Sequence, residues 1–175
     1  DVLGLQKYGT ASVIVFQNTI GSLPTRNYNA GQFDGFEAIS GERMADTILK
    51  DNDTCYACSV RCKRVVETEY AGRPVEKRHG GPEYETASTF GSYCGIGDLH
   101  AIALANQICN ENGLDTIGTG ATIAWTMDCF TDGVLSEAEI GFPAPFGDAK
   151  AMIRLLDMIV AREGIGDILA NGSRK

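Results

Sequence analysis

Three of the six cysteines in this chain fall within eight residues, as Cys55-Tyr56-Ala57-Cys58-Ser59-Val60-Arg61-Cys62. The spacing C-x2-C-x3-C directs several thiolates at one point. That suits an iron–sulfur cluster or a metal ion better than disulfides, although an even cysteine count in a secreted chain would suggest bridges. The segment is expected to be irregular or built of short turns. Three sulfurs leave the set incomplete, because a [4Fe–4S] cluster takes four thiolates and structural zinc takes four ligands. Cys94, Cys109 and Cys129 are internal candidates for the fourth position. Each stands alone among small or apolar neighbours, the usual setting of a buried core cysteine. On spacing alone, iron–sulfur, zinc and a coincidental buried group all stay open.

The 175 residues amount to one domain, and 43% hydrophobic with 22% charged residues is ordinary globular composition. A net charge of -8 argues against nucleic acid and anionic membranes as partners, since both select for excess Lys and Arg. Apolar runs such as Val13-Ile14-Val15-Phe16 are too short to cross a bilayer, and no signal peptide is visible. The chain starts at Asp1 rather than Met, so a fragment of a longer protein is expected.

Periodicity and end signals predict mostly helix. Residues 2–19 read as one helix ended by Gly21 and Pro24, followed by a loop to residue 37. Ser40 caps a helix over 39–50. Residues 63–69 and 73–77 flank Ala71-Gly72 as a hairpin. A short helix over 83–90 follows Gly80-Gly81-Pro82. Asp98 caps a helix to Asn112, stopped by Gly113, and Asp115 opens the next, which runs to Asp132-Gly133. Ser136 and Glu139 form a capping box, and Asp148 caps a helix with Met152, Leu155, Leu156, Ile159 and Val160 on one face. The expected fold class is therefore mainly α, a single multihelical domain over 1–175 with one small β-hairpin. Glycine, at 21 residues, is abundant for such a fold and suits close backbone approach to a bulky cofactor.

Two further segments bear chemistry. Gly80-Gly81-Pro82-Glu83-Tyr84-Glu85 sets two carboxyls two residues apart, so on a helix they do not share a face. Asn110-Glu-Asn-Gly113-Leu114-Asp115 is a helix-to-helix corner whose backbone and carboxylate can bind the amino and ring N–H groups of a heterocycle. The plainer readings are a pair of solvated carboxylates at a helix start, and a glycine stop followed by an Asp cap.

Taken in order, Cys55-x2-Cys58-x3-Cys62, Gly81-Pro-Glu-Tyr-Glu85-Thr, Tyr93-Cys-Gly-Ile and Gly113-Leu114-Asp115-Thr-Ile resemble the tungsten-containing aldehyde ferredoxin oxidoreductase family. Leu23-Pro-Thr-Arg-Asn27 and Glu163-Gly-Ile-Gly-Asp-Ile-Leu-Ala170 are similar too, so the resemblance spans nearly the whole chain. It implies the middle, helical domain of a three-domain enzyme. Two pterin dithiolenes hold tungsten in that family, with molybdenum the other metal considered, beside a [4Fe–4S] cluster. The resemblance implies that Cys55, Cys58 and Cys62 are cluster ligands, the fourth lying beyond Lys175. It assigns Asn110, Gly113, Leu114 and Asp115 to the pterin motif D-x-x-G-L-D. Asn110 replaces the first Asp and loses the charge-assisted part of its hydrogen bond. Glu85 aligns with the active-site glutamate that takes a proton from attacking water; Glu83 is the second choice. Where relatives carry an E-x-x-H iron motif, this chain has Leu104-Ala-Asn-Gln107, so no interface iron is expected.

The implied function is oxidation of an aldehyde to a carboxylate, with electrons passing through the cluster to ferredoxin. The implied setting is a cytoplasmic, anaerobic enzyme, with the remaining domains as partners and a homo-oligomer conceivable. This piece alone is expected to be inactive. One alternative is a relative that reduces an aromatic acyl-CoA, in which Cys94 would ligate tungsten. Another is a zinc-bound structural module without redox chemistry. Between Arg61 and Arg78, six basic and three acidic residues make a local +3 that would favour a reduced cluster and guide an acidic ferredoxin; a hairpin with solvated charges is the plain alternative.

Overall fold

The central element is a helix buried almost all round its circumference, Leu99–Asn112 (α5), in a computed structural model that describes residues 2–173. Its positions 101–109 are all buried, which fits a helix with little amphipathic character. Two of those positions, Asn106 and Gln107, are polar and satisfied. Gln107 donates to the Pro74 carbonyl at 3.2 Å and accepts from the Glu76 amide at 2.7 Å. Asn106 donates to the His79 carbonyl at 3.3 Å. Gln107 fastens a hairpin of Thr68–Tyr70 (β3) and Arg73–Val75 (β4) to the helix, and Asn106 holds the segment that follows it.

Before α5 the chain forms Val2–Tyr8 (α1), Val13–Thr19 (α2), Gly41–Thr47 (α3), Leu49–Asp53 (β1), Lys63–Val66 (β2) and, after the hairpin, Tyr84–Thr89 (α4). After α5 come Thr116–Thr131 (α6), Glu137–Ile140 (α7), Ala149–Ala161 (α8) and Ile165–Leu169 (α9). The fold is mainly α and multihelical, as expected. None of the described helices is long and apolar enough to cross a membrane.

The caps read from the sequence form with the expected partners. Ser40 accepts from the Arg43 amide, Asp98 from His100 and Ala101, Asp148 from Lys150 and Ala151, and Ser136 with Glu139 closes a capping box. On α8, Met152, Leu155, Leu156 and Ile159 are buried together, whereas Val160, expected on the same face, is exposed. Helices α4 and α6 touch where Gly120 meets Thr89; a Cβ on Gly120 would lie 2.6 Å from the Thr89 Cβ.

Two local readings are corrected. The helix over 2–19 is two helices, broken at Gly9, whose φ of 68° brings its backbone against Arg64. The helix over 39–50 stops at Thr47, and Leu49–Asp53 becomes a strand. It pairs antiparallel with Lys63–Val66, so Asp53 faces Lys63 and the cysteine segment 54–62 becomes the loop that joins them. The expected hairpin is present but shortened to 68–70 and 73–75, because its first half is taken by this second ribbon.

Candidate functional site

Strand alternation decides what lies under the cysteine loop. In β2, Lys63 is exposed while Arg64 and Val66 face inward. Gly81 passes directly over them: a Cβ there would sit 2.8 Å from both the Arg64 Cβ and the Val66 Cγ1. The glycine pair before Pro82 thus permits close approach of the α4 entry segment to the ribbon.

All six cysteines are free thiols. Cys55 and Cys58 are exposed, and Cys62 is half-buried at the base of the loop. The Cys58 amide donates to the Cys55 carbonyl at 3.1 Å, and the Thr54 hydroxyl donates to the Cys58 carbonyl. Ala57 and Arg61 hold left-handed backbone (φ 55° and 56°), which non-glycine residues adopt at a cost and chiefly where surroundings impose it. Among the described residues, no three His, Cys, Asp or Glu side chains converge closely enough to hold a metal ion. The donor set is therefore right in kind, three soft thiols on one accessible loop, while the sulfurs are not gathered around one point.

The other cysteines differ. Cys94 is fully buried, with its Sγ 3.3 Å from the Thr89 carbonyl, and burial pushes its thiol far up. Burial, with Asp115 nearby, pushes the Cys109 thiol up to about 12. Cys129 is raised as well, by burial first and then by Asp128 and Asp132. Cys94 and Cys109 are core residues, while Cys129 is half-buried.

A cavity of about 720 Å³ is lined by parts of two of the remaining motif segments. Asp53 and Lys63, the two feet of the cysteine loop, line it together with Glu83, Asn110 and Thr116. Glu83 occupies the residue before α4 without a side-chain cap bond; its carboxylate accepts from the Thr10 hydroxyl, which in turn accepts from the Tyr84 amide at 2.8 Å. Glu85 stands on the first turn of α4 with its side chain exposed, outside the cavity wall. Asn110 donates to the His79 carbonyl at 2.9 Å. An Asp could not make that bond, so the departure from the motif has a structural use, and the amide oxygen remains an acceptor.

Gly113 (φ 66°) and Asp115 turn the chain from α5 into α6. The Asp115 carboxylate accepts from the Gly118 amide at 2.7 Å and, more weakly, from Ile117 at 3.4 Å. Gly113, Leu114 and Asp115 line not that cavity but a second one of about 390 Å³, whose far wall includes Ile159 and Leu169.

Two other motif segments meet in space. Arg26, Asn27 and Tyr28 are three successive left-handed residues. They are held by Arg26 N–H to the Ser92 carbonyl at 2.9 Å and Asn27 N–H to the Tyr93 carbonyl at 3.0 Å. Asn27 and Asn29 both donate to the Asp128 carboxylate at 2.8 Å, and Tyr28 and Tyr93 share a hydroxyl–hydroxyl bond. Asp128 and Thr10 escaped the sequence reading, since neither sits in a motif and each acts across about a hundred or about seventy residues.

The basic run between Arg61 and Arg78 is mostly paired. Arg73 binds Asp157 at 2.8 Å, Arg78 binds Glu76 at 2.6 Å, Lys77 binds Glu67 at 3.6 Å and Arg61 reaches Asp51 at 4.0 Å. Arg64 is buried, which removes it from any docking surface. Among the described residues, Lys63 is the exposed cation of this run without an ion pair.

A model of the aldehyde ferredoxin oxidoreductase family, covering domains 2 and 3, matches residues 1–175. The chain belongs to the aldehyde ferredoxin oxidoreductase family. It is 40% identical over 172 residues to the tungsten-containing aldehyde ferredoxin oxidoreductases of Pyrococcus furiosus and Thermococcus kodakarensis, which covers 97% of this chain. It spans 28% of the length of those relatives. A "WOR-like subunit" of an aliphatic sulfonate oxidoreductase from Pyrococcus furiosus is 32% identical over 152 residues, covering 87% of this chain and 24% of that protein. Among solved structures, the BamBC active-site complex of benzoyl coenzyme A reductase shares the fold, with a TM-score of 0.68, 24% identity, and coverage of 96% of this chain and 24% of that one. Family membership accounts for the ordered motifs together.

Proposed function

We propose that this chain is the middle, helical domain of a tungsten–pterin enzyme that oxidises aldehydes to carboxylates and passes the electrons through a [4Fe–4S] cluster to ferredoxin. The observation that carries the reading is the 720 Å³ cavity, because one space is walled by the feet of the cysteine loop, by Glu83 and by Asn110 and Thr116, which flank the α5–α6 corner. Three thiols on an accessible loop suit a cluster in donor chemistry, and the polar corner suits a pterin.

Cys55, Cys58 and Cys62 would hold the cluster together with a thiolate from a later domain. Asn110 would accept a hydrogen bond from the pterin through its amide oxygen, and Gly113, Leu114 and Asp115 would bind through backbone and carboxylate. The bis-pterin metal, tungsten or molybdenum, supplies the two-electron change. Glu85 would take the proton from the water that attacks the aldehyde carbon. Its exposed position on α4 gives it access to a group bound against that face, whereas Glu83 is already engaged by Thr10.

The two carboxylates are separated by variants of the full-length enzyme. Glu85→Gln is expected to lower kcat by about a hundredfold or more, in the range a general base supplies, with cofactor content unchanged. Glu83→Gln is expected to leave most of kcat. The reverse order would move the base to Glu83, and full activity in both would remove this step from the proposal.

A further inference from the structure

We propose that Arg64 is a positioning residue for the cysteine loop, and that its buried positive charge holds the cluster's reduction potential up. The proposal rests on the cluster reading above. Arg64 is 2% exposed, the largest of the nearly inaccessible side chains in the protein. Its guanidinium donates to the Cys62 carbonyl at 3.1 Å and the Arg61 carbonyl at 2.9 Å on the loop side. On the α1 side it donates to the carbonyls of Lys7 at 2.9 Å and Gln6 at 3.0 Å. One fork thus ties the end of the cysteine loop to the end of α1.

The surroundings are shaped for this side chain. A Cβ on Gly9 would lie 3.0 Å from the Arg64 Cδ and Nε, and one on Gly81 would lie 2.8 Å from its Cβ. Arg61 takes left-handed backbone while its carbonyl receives the guanidinium. Loop closure alone could be achieved with neutral donors. Every acceptor here is a neutral carbonyl, and among the described residues Arg64 forms no ion pair. Glu83 lines the same cavity and its charge acts on Arg64 through space, but its carboxylate makes no hydrogen bond to the guanidinium. A buried cation without a bonded counter-ion is costly and rare. An anionic iron–sulfur centre held by the Cys62 sulfur would add a second anionic neighbour beside this cation. Cluster potentials respond to nearby net charge and hydrogen bonding, so a fixed cation there favours the form carrying the extra electron.

The test uses the full-length enzyme, purified without oxygen, as wild type, Arg64→Lys and Arg64→Met, with iron analysis and an EPR-monitored redox titration of the cluster. Arg64→Met is expected to shift the cluster's one-electron reduction equilibrium at least tenfold towards the oxidised form, a midpoint about 59 mV lower. Arg64→Lys keeps the charge but not the fork; it is expected to lose part of its iron while the clusters it retains titrate within about threefold of wild type. If Arg64→Met takes up no iron, Gly9→Ala, which crowds the guanidinium out of its place, is expected to lower the potential instead. Clusters that titrate at the wild-type potential in the charge-removing variant, or in Gly9→Ala where that substitutes for it, overturn the proposal and leave Arg64 a structural clamp. Wild type without iron would instead overturn the cluster reading itself.

Discussion

Replacing Asp115 separates its two roles, because Asn keeps one of them and Ala keeps neither. The side chain caps α6 with one short bond, to the Gly118 amide at 2.7 Å, and one long bond, to the Ile117 amide at 3.4 Å. A cap of this kind contributes about 1 kcal/mol, within a range of roughly 0.5–2. Asn caps as well as Asp, so Asp115→Asn forgoes only the charge at an exposed helix start, about 0.3–1 kcal/mol at low salt and less when screened. In urea unfolding of the chain, Asp115→Ala is therefore expected to lose about 1 kcal/mol, or about 2–4 °C in a thermal scan, while Asp115→Asn stays within a few tenths of a kcal/mol in 0.2 M salt. On the proposed reading, pterin binding would need the carboxylate itself. In the full-length enzyme, Asp115→Asn is expected to be as well folded as wild type yet poor in pterin. An Asp115→Asn enzyme with its full complement of pterin would refute the cofactor role and leave only a helix cap. Unchanged stability in Asp115→Ala would refute the capping argument.

The buried thiols give a pH dependence. Cys109 titrates near 12 in the folded chain against an ordinary value of 9.0, so its contribution is fully present below pH 9 and is lost as pH rises towards 12, where the unfolded chain binds fewer protons. Urea unfolding of the wild type should accordingly show stability falling above pH 9, and Cys109→Ser should flatten part of that fall. Lys63 tests the docking surface: Lys63→Glu is expected to slow turnover with ferredoxin and weaken its salt dependence, while turnover with a small uncharged dye stays unchanged. Equal rates and equal salt slopes with ferredoxin would count against docking at this edge.

Local chemistry was readable from the sequence and long-range pairing was not. Ser40, Asp98, Asp115, Ser136 and Asp148 cap helices through amides two or three residues away, so the sequence contains both partners. Leu49–Asp53 carries no strand alternation, and its strand character comes from Lys63–Val66 across the cysteine loop. Gly9 marks a break only because Arg64 lies against it, 55 positions further on. Arg64 itself looked like one cation in a basic run. The alternation Lys63 out, Arg64 in, Val65 half-buried, Val66 in would have exposed its burial had β2 been recognised as half-buried.

The candidate site divides in the same way. The cysteine spacing, the glycine pair and the Gly113-Leu114-Asp115 corner were all visible as motifs; the larger cavity touches the feet of the cysteine loop and the glycine pair, while the corner lines the smaller one. Which glutamate faces that cavity was not visible, because two carboxyls two residues apart on a helix differ only by its rotation. The structure turns Glu83 inward and Glu85 outward. The tie between the Arg26–Tyr28 turn and Asp128 depends on α6 lying beside the first loop, which no local pattern encodes.

Metal analysis of the full-length enzyme, prepared without oxygen and compared with its Cys58→Ala variant, bears on the cysteine loop most directly. About four iron per chain in the wild type, with a sharp loss in the variant, is the predicted result for a [4Fe–4S] cluster. One zinc and no iron would contradict it and reduce the loop to a structural knuckle.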